Sequence, residues 1–270
     1  MNLSLENRKI EERDFHNKRE HDRSVLTEKE FLDRYHNKKA YIITGNSRDY
    51  FSALMKKYCS GGKVLDYCCG LGGVSVRAAK FGAYVYGIDI SEESVSTAKK
   101  QLAEIGLGDK GTFQVMDAEN MTFPDKMFDV IICSGVLHHL DIDKALSELA
   151  RVLKPSGVVI CGEALGYNPL INLYRRRTRH LRTAWEIDHI LTLREVKKAR
   201  RYFNKVDIKF FHLFSIIGIP FQSTVFFRPL LAFLNAVDFI ALKIPLVQLL
   251  AWQMIFVLSK PKSVSKGDDS

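Results

Sequence analysis

Residues 64–73 read Val-Leu-Asp-Tyr-Cys-Cys-Gly-Leu-Gly-Gly, and this stretch decides the fold. Its apolar beginning predicts a buried strand over Lys63–Tyr67, and a helix over Gly73–Phe81 follows after residues 68–72. Glycines lack a Cβ atom, so the backbone here can turn tightly and a ligand can lie close against it. The first turn of the following helix also offers free N–H groups. The stretch therefore predicts a nucleotide-binding loop between a strand and a helix.

The next hundred residues alternate short apolar runs with helical periods, which is typical of a parallel sheet in an α/β fold. Strands are predicted at Lys63–Tyr67, Tyr84–Ile88, Gly111–Val115, Val130–Ser134 and Val158–Gly162. The intervening helices are predicted at Gly73–Phe81, Glu92–Ile105 and Ile142–Val152, with a turn at Lys154–Gly157. Two later strands, at Val206–His212 and Trp252–Leu258, would complete a doubly wound, mostly parallel, seven-stranded sheet.

An acidic residue, Asp89, ends the second strand about 20 positions after the glycine loop, where it can accept hydrogen bonds from a ribose. That position indicates an adenosine-type cofactor. Asp66, at the end of the first strand, would repel a pyrophosphate but suits the ammonium and sulfonium groups of S-adenosylmethionine (SAM). Ser75 stands where a dinucleotide fingerprint has its third glycine. These two details favour SAM over NAD.

The same motifs, in order over about residues 60–163, resemble the class I SAM-dependent methyltransferases. Asp66, Cys69, Gly70 and Gly72 match the first motif of that family, whereas Tyr67-Cys68 departs from its usual small residue and glycine. The resemblance implies a Rossmann-like methyltransferase fold with SAM as cofactor. It implies these cofactor contacts: Asp66, Cys69, Gly70, Gly72, Asp89, Ile90, Asp117, Ala118 and Ser134.

Methyl transfer from a sulfonium requires alignment of the acceptor and, for a hydroxyl acceptor, removal of a proton. His138 and His139 follow the fourth strand and Glu163 ends the fifth, at the edge of the sheet that faces the acceptor. His16 and His189 lie in flanking segments that commonly form a lid in this family. We treat all five as candidate catalytic residues. For the two flanking histidines, an ordinary surface position is the alternative.

The parts outside the core are predicted to be helical. N-terminal helices are expected at Leu5–Arg23, Glu28–Tyr35 and Arg48–Tyr58, and a later helix at Thr192–Phe203. The first two of these helices are expected to be exposed. The resulting division is an N-terminal helical cap (1–59), a SAM-binding core (60–163), an acceptor-side lid region with final strands and apolar helices (164–260), and a flexible tail (261–270).

Five cysteines, an odd number without the spacing of a disulfide scaffold, indicate free thiols in a reducing cytosol. No histidine and cysteine cluster accompanies Cys68-Cys69, so no metal site is predicted. The chain begins with polar and charged residues, which argues against a secretory signal peptide. We therefore expect a cytoplasmic protein.

The acceptor is indicated only by the last third of the chain, in a protein of formal net charge +9. Five arginines lie within Arg175–Arg182, and Lys197–Arg201 adds further basic residues. Arginine clusters suit phosphates, carboxylates and lipid headgroups, and a solvated surface is the alternative. Residues 213–258 are strongly apolar, with runs of helical length at Pro229–Leu242 and Pro245–Leu258. These runs suit a peripheral contact with an anionic membrane or a lipophilic acceptor, or else a helical cap or homodimer interface.

The first functional hypothesis is methylation, at oxygen or carbon, of a small lipophilic or anionic molecule or a lipid. The second is an RNA methyltransferase that uses the basic residues of 175–201. Nucleic acid is disfavoured as a partner because the chain has no recognised RNA-binding module and no Asn-Pro-Pro-Tyr motif. The third is a non-catalytic, SAM-binding interaction protein.

Overall fold

The computed structural model of the chain describes residues 5–35 and 40–262. Its strands are β1 (Lys63–Tyr67), β2 (Tyr84–Asp89), β3 (Gly111–Val115), β4 (Phe128–Ser134), β5 (Leu153–Ala164), β6 (Phe203–Phe211) and β7 (Gln253–Pro261). They form one sheet in the order β3-β2-β1-β4-β5-β7-β6. β7 pairs antiparallel with β5 and β6, and the other neighbouring strands pair parallel. The prediction of a mostly parallel, doubly wound, seven-stranded sheet is confirmed.

The α-helices of the described residues lie before, between and after these strands. They are α1 (Leu5–Val25), α2 (Glu28–Tyr35), α3 (Gly45–Tyr58), α4 (Gly73–Lys80), α5 (Glu92–Glu104), α6 (Ile142–Val152), α7 (Pro169–Arg177), α8 (Ala184–Asp188), α9 (Leu193–Lys198) and α10 (Phe227–Ala241). Short 3-10 helices lie at Ala40–Ile43, Gly108–Lys110, Leu137–His139, Arg179–Leu181, Ala199–Arg201, Phe214–Phe221 and Val247–Leu250.

Alternating residues of the buried strands build one apolar layer on each face of the sheet, because successive side chains of a strand point to opposite faces. Leu65 and Ile131 pack with apolar residues of α6 and α9 on one face. Val64 and Ile132 pack with apolar residues of α3, α4 and α5 on the other. The chain leaves β1 toward β2 on one side and later returns to β4 on the other side. A crevice therefore opens at the carboxyl ends of β1, β2 and β4, where such folds bind ligands.

Three local predictions about secondary structure are wrong. The predicted turn Lys154–Gly157 lies inside β5, where the pairing register with β4 shifts between Phe128 and Val130. The predicted helix Thr192–Phe203 begins at its predicted Thr192 capping box, but α9 ends at Lys198 and Phe203 opens β6. Pro245–Leu258 is not a helix, because β7 takes its second half to pair with both β5 and β6.

The ends of the chain also differ from expectation. Helix α1 was expected to be exposed, but Arg8, Glu12 and Asp22 on it are buried. Pro261, assigned to the flexible tail, belongs to β7, and residues 263–270 lie outside the described residues. Within the described ranges, no helix has both the length and the apolar character needed to cross a bilayer.

Candidate functional site

The loop after β1 takes a left-handed backbone conformation at Cys68, Gly70 and Gly72, with φ of 58°, 47° and 82°. Such angles favour glycine, so Cys68 adopts a conformation that a side chain rarely takes. A Cβ atom on Gly72 would also lie 2.8 Å from the Cβ of Ala98 on α5. Gly72 is therefore required both by the turn and by the packing of α4 against α5. Neither Gly72 nor Cys69 lines the cavity that this loop borders, whereas Gly70 and Cys68 do.

Asp66 lies beneath the loop and not in the cavity wall. Its side chain is buried, and its Oδ2 accepts a hydrogen bond of 2.6 Å from the Ser75 hydroxyl on α4. Burial raises the pKa of Asp66 to about 7, and the Ser75 hydrogen bonds oppose that rise. Its carboxyl group is therefore poised to change charge near neutral pH.

A cavity of about 220 Å³ opens beyond the ends of β1, β2 and β4. Of the predicted cofactor contacts, its wall includes Gly70, Asp89, Ile90, Asp117, Ala118 and Ser134. The Asp89 carboxylate accepts hydrogen bonds of 2.9 Å from the backbone N–H groups of Gly70 and Ser91. Both oxygens are thus fixed at the rim, where a ribose diol would meet them. The Tyr67 hydroxyl donates a 2.7 Å hydrogen bond to the Ala118 carbonyl, which ties this departure from the family pattern to the cavity wall.

Replacing Asp89 with alanine is expected to weaken SAM binding about a hundredfold, since hydrogen bonds to a charged group contribute roughly 1.5–3 kcal/mol each. Calorimetric titration with SAM measures the loss. Asp109→Ala, an exposed acid outside the cavity, is the matched control and should bind SAM like the natural chain. A dissociation constant of Asp89→Ala within threefold of the control would remove Asp89 from the cofactor site.

Helix α1 covers this cavity of about 220 Å³, named the cofactor cavity, with charged side chains. Arg8 pairs with buried Glu119 and donates to the His139 carbonyl, and Lys9 donates a 2.7 Å hydrogen bond to Asp117. Of the residues on this helix, only His16 was a predicted site residue. Arg8, Glu12 and His16 are spaced by four, which places them on one helix face, and that regular spacing was the available signal.

A larger cavity, of about 620 Å³, adjoins the first one. His16, Ser134, Gly135 and His139 line both cavities, so these residues mark the boundary between them. His138 and Glu163 line only the larger one. The structure thus brings four of the five candidate catalytic residues to a single place. At this boundary, a ligand bound in one cavity would meet a ligand bound in the other.

His138 and Glu163 form a hydrogen-bonded pair in the wall of the larger cavity. Glu163 is buried, and its Oε1 accepts hydrogen bonds of 2.8 Å from the N–H groups of Val136 and Leu137. Its Oε2 lies 2.8 Å from His138 Nδ1. Because a carboxylate only accepts, Nδ1 carries the proton and Nε2 of a neutral His138 holds the free lone pair. This arrangement orients His138 as a base.

His139 and His16 have different environments. Burial would lower the pKa of His139, but the 3.0 Å hydrogen bond and charge of Glu12 outweigh it and raise the pKa. Burial, together with the nearby His139, lowers the pKa of His16. The contact with Glu12 therefore favours the protonated form of His139, whereas burial favours the neutral form of His16. The ligand atoms of Glu12, His16 and His139 also lie within 4.8 Å of one another, as do those of His138, His139 and Glu186, so each group could hold a metal ion.

His189, the fifth candidate, lies outside both cavities. Its exposed ring stacks on Trp185 at a centroid distance of 3.5 Å, and its Nδ1 lies 2.9 Å from the Trp185 carbonyl oxygen. The structure therefore gives His189 the surface position that was its alternative.

All five cysteines are free thiols, and burial raises the pKa of Cys59 to about 12.

Comparison with known proteins supports the fold and SAM as the cofactor. Residues 65–161 match a family described as a methyltransferase domain. A sterol 24-C-methyltransferase of Eremothecium gossypii is 30% identical over 183 residues, which are 66% of this chain and 48% of that protein. A probable chloroplastic tocopherol O-methyltransferase of Oryza sativa subsp. japonica is 41% identical over 99 residues, which are 36% of this chain and 27% of that protein.

Among solved structures, phosphoethanolamine N-methyltransferase 2 of Haemonchus contortus in complex with SAM has a TM-score of 0.57 and 21% identity. The superposition covers 88% of this chain and 61% of that protein, and it shows the fold alone. The chain spans less than half the length of the two curated relatives above. The match nevertheless covers the strands and motifs that build the cofactor cavity. The match over residues 65–161 thus supports the resemblance to the class I SAM-dependent methyltransferases, with SAM as the cofactor.

Proposed function

We propose that the chain transfers the methyl group of SAM to a small lipophilic acceptor held in the larger cavity. The observation that carries this proposal is the shared boundary of the two cavities at Ser134, Gly135, His16 and His139. A methyl group bound on one side of that boundary would face an acceptor atom on the other. Holding two reactants in this way supplies much of the rate of a transfer from an activated sulfonium.

The proposed reaction is an in-line displacement. A lone pair of the acceptor's oxygen, or the electron pair of a nucleophilic carbon, forms the new bond to the methyl carbon. The bond from sulfur to methyl breaks, and its electron pair stays on sulfur, which leaves as S-adenosylhomocysteine. A hydroxyl acceptor loses its proton to Nε2 of His138, while Glu163 stabilises the imidazolium through Nδ1.

Three features support a lipophilic acceptor rather than RNA. The larger cavity is walled partly by apolar and aromatic side chains, including Phe15, Phe51 and Trp252. Two arginines of the 175–182 cluster, Arg175 and Arg182, turn inward to Glu186 and so are not free to bind a phosphate backbone. The curated relatives reported above bear the names of enzymes for a sterol and a tocopherol, both lipophilic molecules.

The test is incubation of the full chain with methyl-labelled SAM and, in parallel, a lipid extract, a water-soluble metabolite extract and total RNA. The proposal expects label in a small lipid-soluble product and none with Asp89→Ala. Label in RNA would favour the second hypothesis. Calorimetric SAM binding without label in any fraction would favour a non-catalytic SAM-binding protein.

We further propose that the chain works at the cytoplasmic surface of an anionic membrane. The apolar segment, residues 214–250, carries a set of large apolar side chains that are each more than a third exposed. They are Phe214, Ile217, Phe221, Val225, Phe226, Phe233, Phe239, Ile240, Ile244, Leu246 and Leu250. The exposed charges of this segment are Arg228 and Lys243, whereas its acid, Asp238, is buried. An exposed apolar patch with basic charges suits an anionic bilayer.

A variant with Val225, Phe226 and Leu246 all changed to serine is expected to lose at least about tenfold in vesicle affinity, since each buried apolar side chain contributes roughly 1.5–3 kcal/mol. Co-sedimentation with phosphatidylcholine vesicles containing phosphatidylglycerol measures it. Val25→Ser, at an exposed apolar site outside this segment, is the control. Failure of the natural chain to sediment at low salt would reject the membrane. A triple variant that converts a dimer to a monomer in analytical ultracentrifugation would assign the segment to a homodimer interface.

A further inference from the structure

The larger cavity is strongly basic for a site that holds a lipophilic molecule. Among the described residues, its wall includes the arginines Arg19, Arg23, Arg48, Arg77, Arg175 and Arg182 and no lysine, against the carboxylates Glu163 and Glu186. Arginine presents a planar fork of N–H donors that fits a carboxylate or phosphate, and it keeps its charge in a partly dry site. Some of these six arginines are already paired with carboxylates of the protein.

Three of them have carboxylate partners. Arg175 and Arg182 share Glu186, at 3.4 and 3.2 Å. Arg23 pairs with Glu20 at 3.0 Å, and its guanidinium also lies over the ring of Phe31. The cavity's other carboxylate, Glu163, is used by His138 and by two backbone N–H groups. The cavity's own acids are thus committed to these partners.

The other three arginines are not neutralised. Within residues 5–35 and 40–262, neither Arg48 on α3 nor Arg77 on α4 has a side-chain hydrogen bond or an ion pair in the structure. Arg19 lies 6.0 Å from the ring centroid of Tyr35, and its buried Nε has no hydrogen-bond partner among the described residues. The N–H donors of these arginines are unused. An anion bound in the cavity would accept hydrogen bonds from them and balance their positive charge.

We infer that the acceptor is an acidic amphiphile, with a phosphate or carboxylate group held by Arg48 and Arg77 and an apolar body lying against the aromatic wall. This inference rests on the proposed function and narrows its acceptor class. Arg48 and Arg77 stand beside apolar Phe51 and Val74 in the cavity wall, so one ligand can use both kinds of contact. His138 and His139 line the side of this cavity that borders the cofactor cavity. The reacting end of the acceptor would lie there and face SAM.

The experiment compares three probes of equal chain length, octyl phosphate, octanoate and octanol, by calorimetric titration into the full chain saturated with S-adenosylhomocysteine. We expect the better of the two anions to bind at least about tenfold more tightly than octanol. The order of octyl phosphate and octanoate identifies the acidic group. Arg48→Gln with Arg77→Gln should reduce anion affinity about tenfold or more and leave octanol binding unchanged.

Two controls separate this inference from the proposed function. Arg176→Gln removes an exposed arginine outside the cavity and should change no probe's affinity. SAM affinity and the unfolding midpoint of the double variant should match those of the natural chain. With SAM binding intact, the inference is overturned if octanol binds as tightly as both anions, if no probe binds at millimolar concentration, or if the double variant keeps its anion affinity. Loss of SAM binding by the natural chain would instead overturn the proposed function.

Discussion

Replacing His138 with alanine is expected to lower kcat for a hydroxyl acceptor about 10²- to 10³-fold, with little change in SAM affinity. His138 lines the larger cavity and not the cofactor cavity, so its loss leaves the SAM contacts in place. Its Nδ1 is engaged by Glu163 at 2.8 Å, and Glu163 is fixed by two backbone N–H groups. The alanine variant removes the imidazole of this oriented pair from the wall of the larger cavity.

Single-turnover kinetics with the acceptor found by the labelled-SAM screen would measure this effect. The pH profile of activity should differ between the natural chain and His138→Ala, because the variant lacks the proposed base. Glu163→Gln should reduce kcat about tenfold or more, because its amide cannot accept from all three present donors. These shared effects on kcat and on the pH profile would not follow from a purely structural role.

His189→Ala is the matched control, since that ring is exposed and lies outside both cavities. Its kcat should stay within twofold of the natural chain. A similarly small change in His138→Ala, with an unaltered pH profile, would exclude His138 as the base. A carbon nucleophile that needs no deprotonation would produce that result while leaving SAM-dependent transfer intact.

The core of the fold and most of the cofactor site could be predicted because their signals are local in sequence. Strand, glycine loop and helix follow one another between Lys63 and Lys80, and Asp89 ends the next strand. Parallel topology then brings the carboxyl ends of these strands together whatever the rest of the chain does. Such contacts require only the periodicity of each segment and the order of the strands.

The parts that were missed depend on contacts between distant segments. Arg8 meets Glu119 and Glu12 meets His139 only when α1 docks over the sheet, and no local pattern specifies that docking. In the sequence, Arg48 and Arg77 have the pattern of ordinary surface charges on amphipathic helices. Only the folded chain, through α3 and α4, places them in one cavity wall. The end of α9 was missed for the same reason, since Phe203 joins β6 through pairing with Pro261 of β7.

Replacing Asp66 with asparagine is expected to stabilise the folded chain at high pH while weakening SAM binding. Burial raises the pKa of Asp66 to about 7 from an ordinary value of 3.8. Below about pH 4 the carboxyl group is neutral in both the folded and unfolded chain, and the stability associated with its raised pKa is fully present. That stability is lost as pH rises through 7, because the folded chain must then hold a buried charge.

The size of the effect follows from the difference between the two pKa values. A shift of about three units corresponds to roughly 4 kcal/mol as an upper limit, so a gain of about 2–4 kcal/mol in the free energy of unfolding is expected at pH 8.5. Asparagine stays neutral and can still accept the Ser75 hydroxyl that now lies 2.6 Å from Asp66 Oδ2. At about pH 4 the variant and the natural chain should differ by less than about 1 kcal/mol.

Urea unfolding without cofactor at these two pH values would measure the difference, with exposed Asp109→Asn as a control that shifts neither. The same variant should bind SAM more weakly, since the cofactor's positive groups lose the nearby carboxylate. A destabilised Asp66→Asn at high pH would mean that the buried carboxylate is compensated by its surroundings. An unchanged SAM affinity would mean that Asp66 serves the loop alone. Together, stability gained and cofactor affinity lost would show that the buried charge is retained for SAM at the expense of the fold.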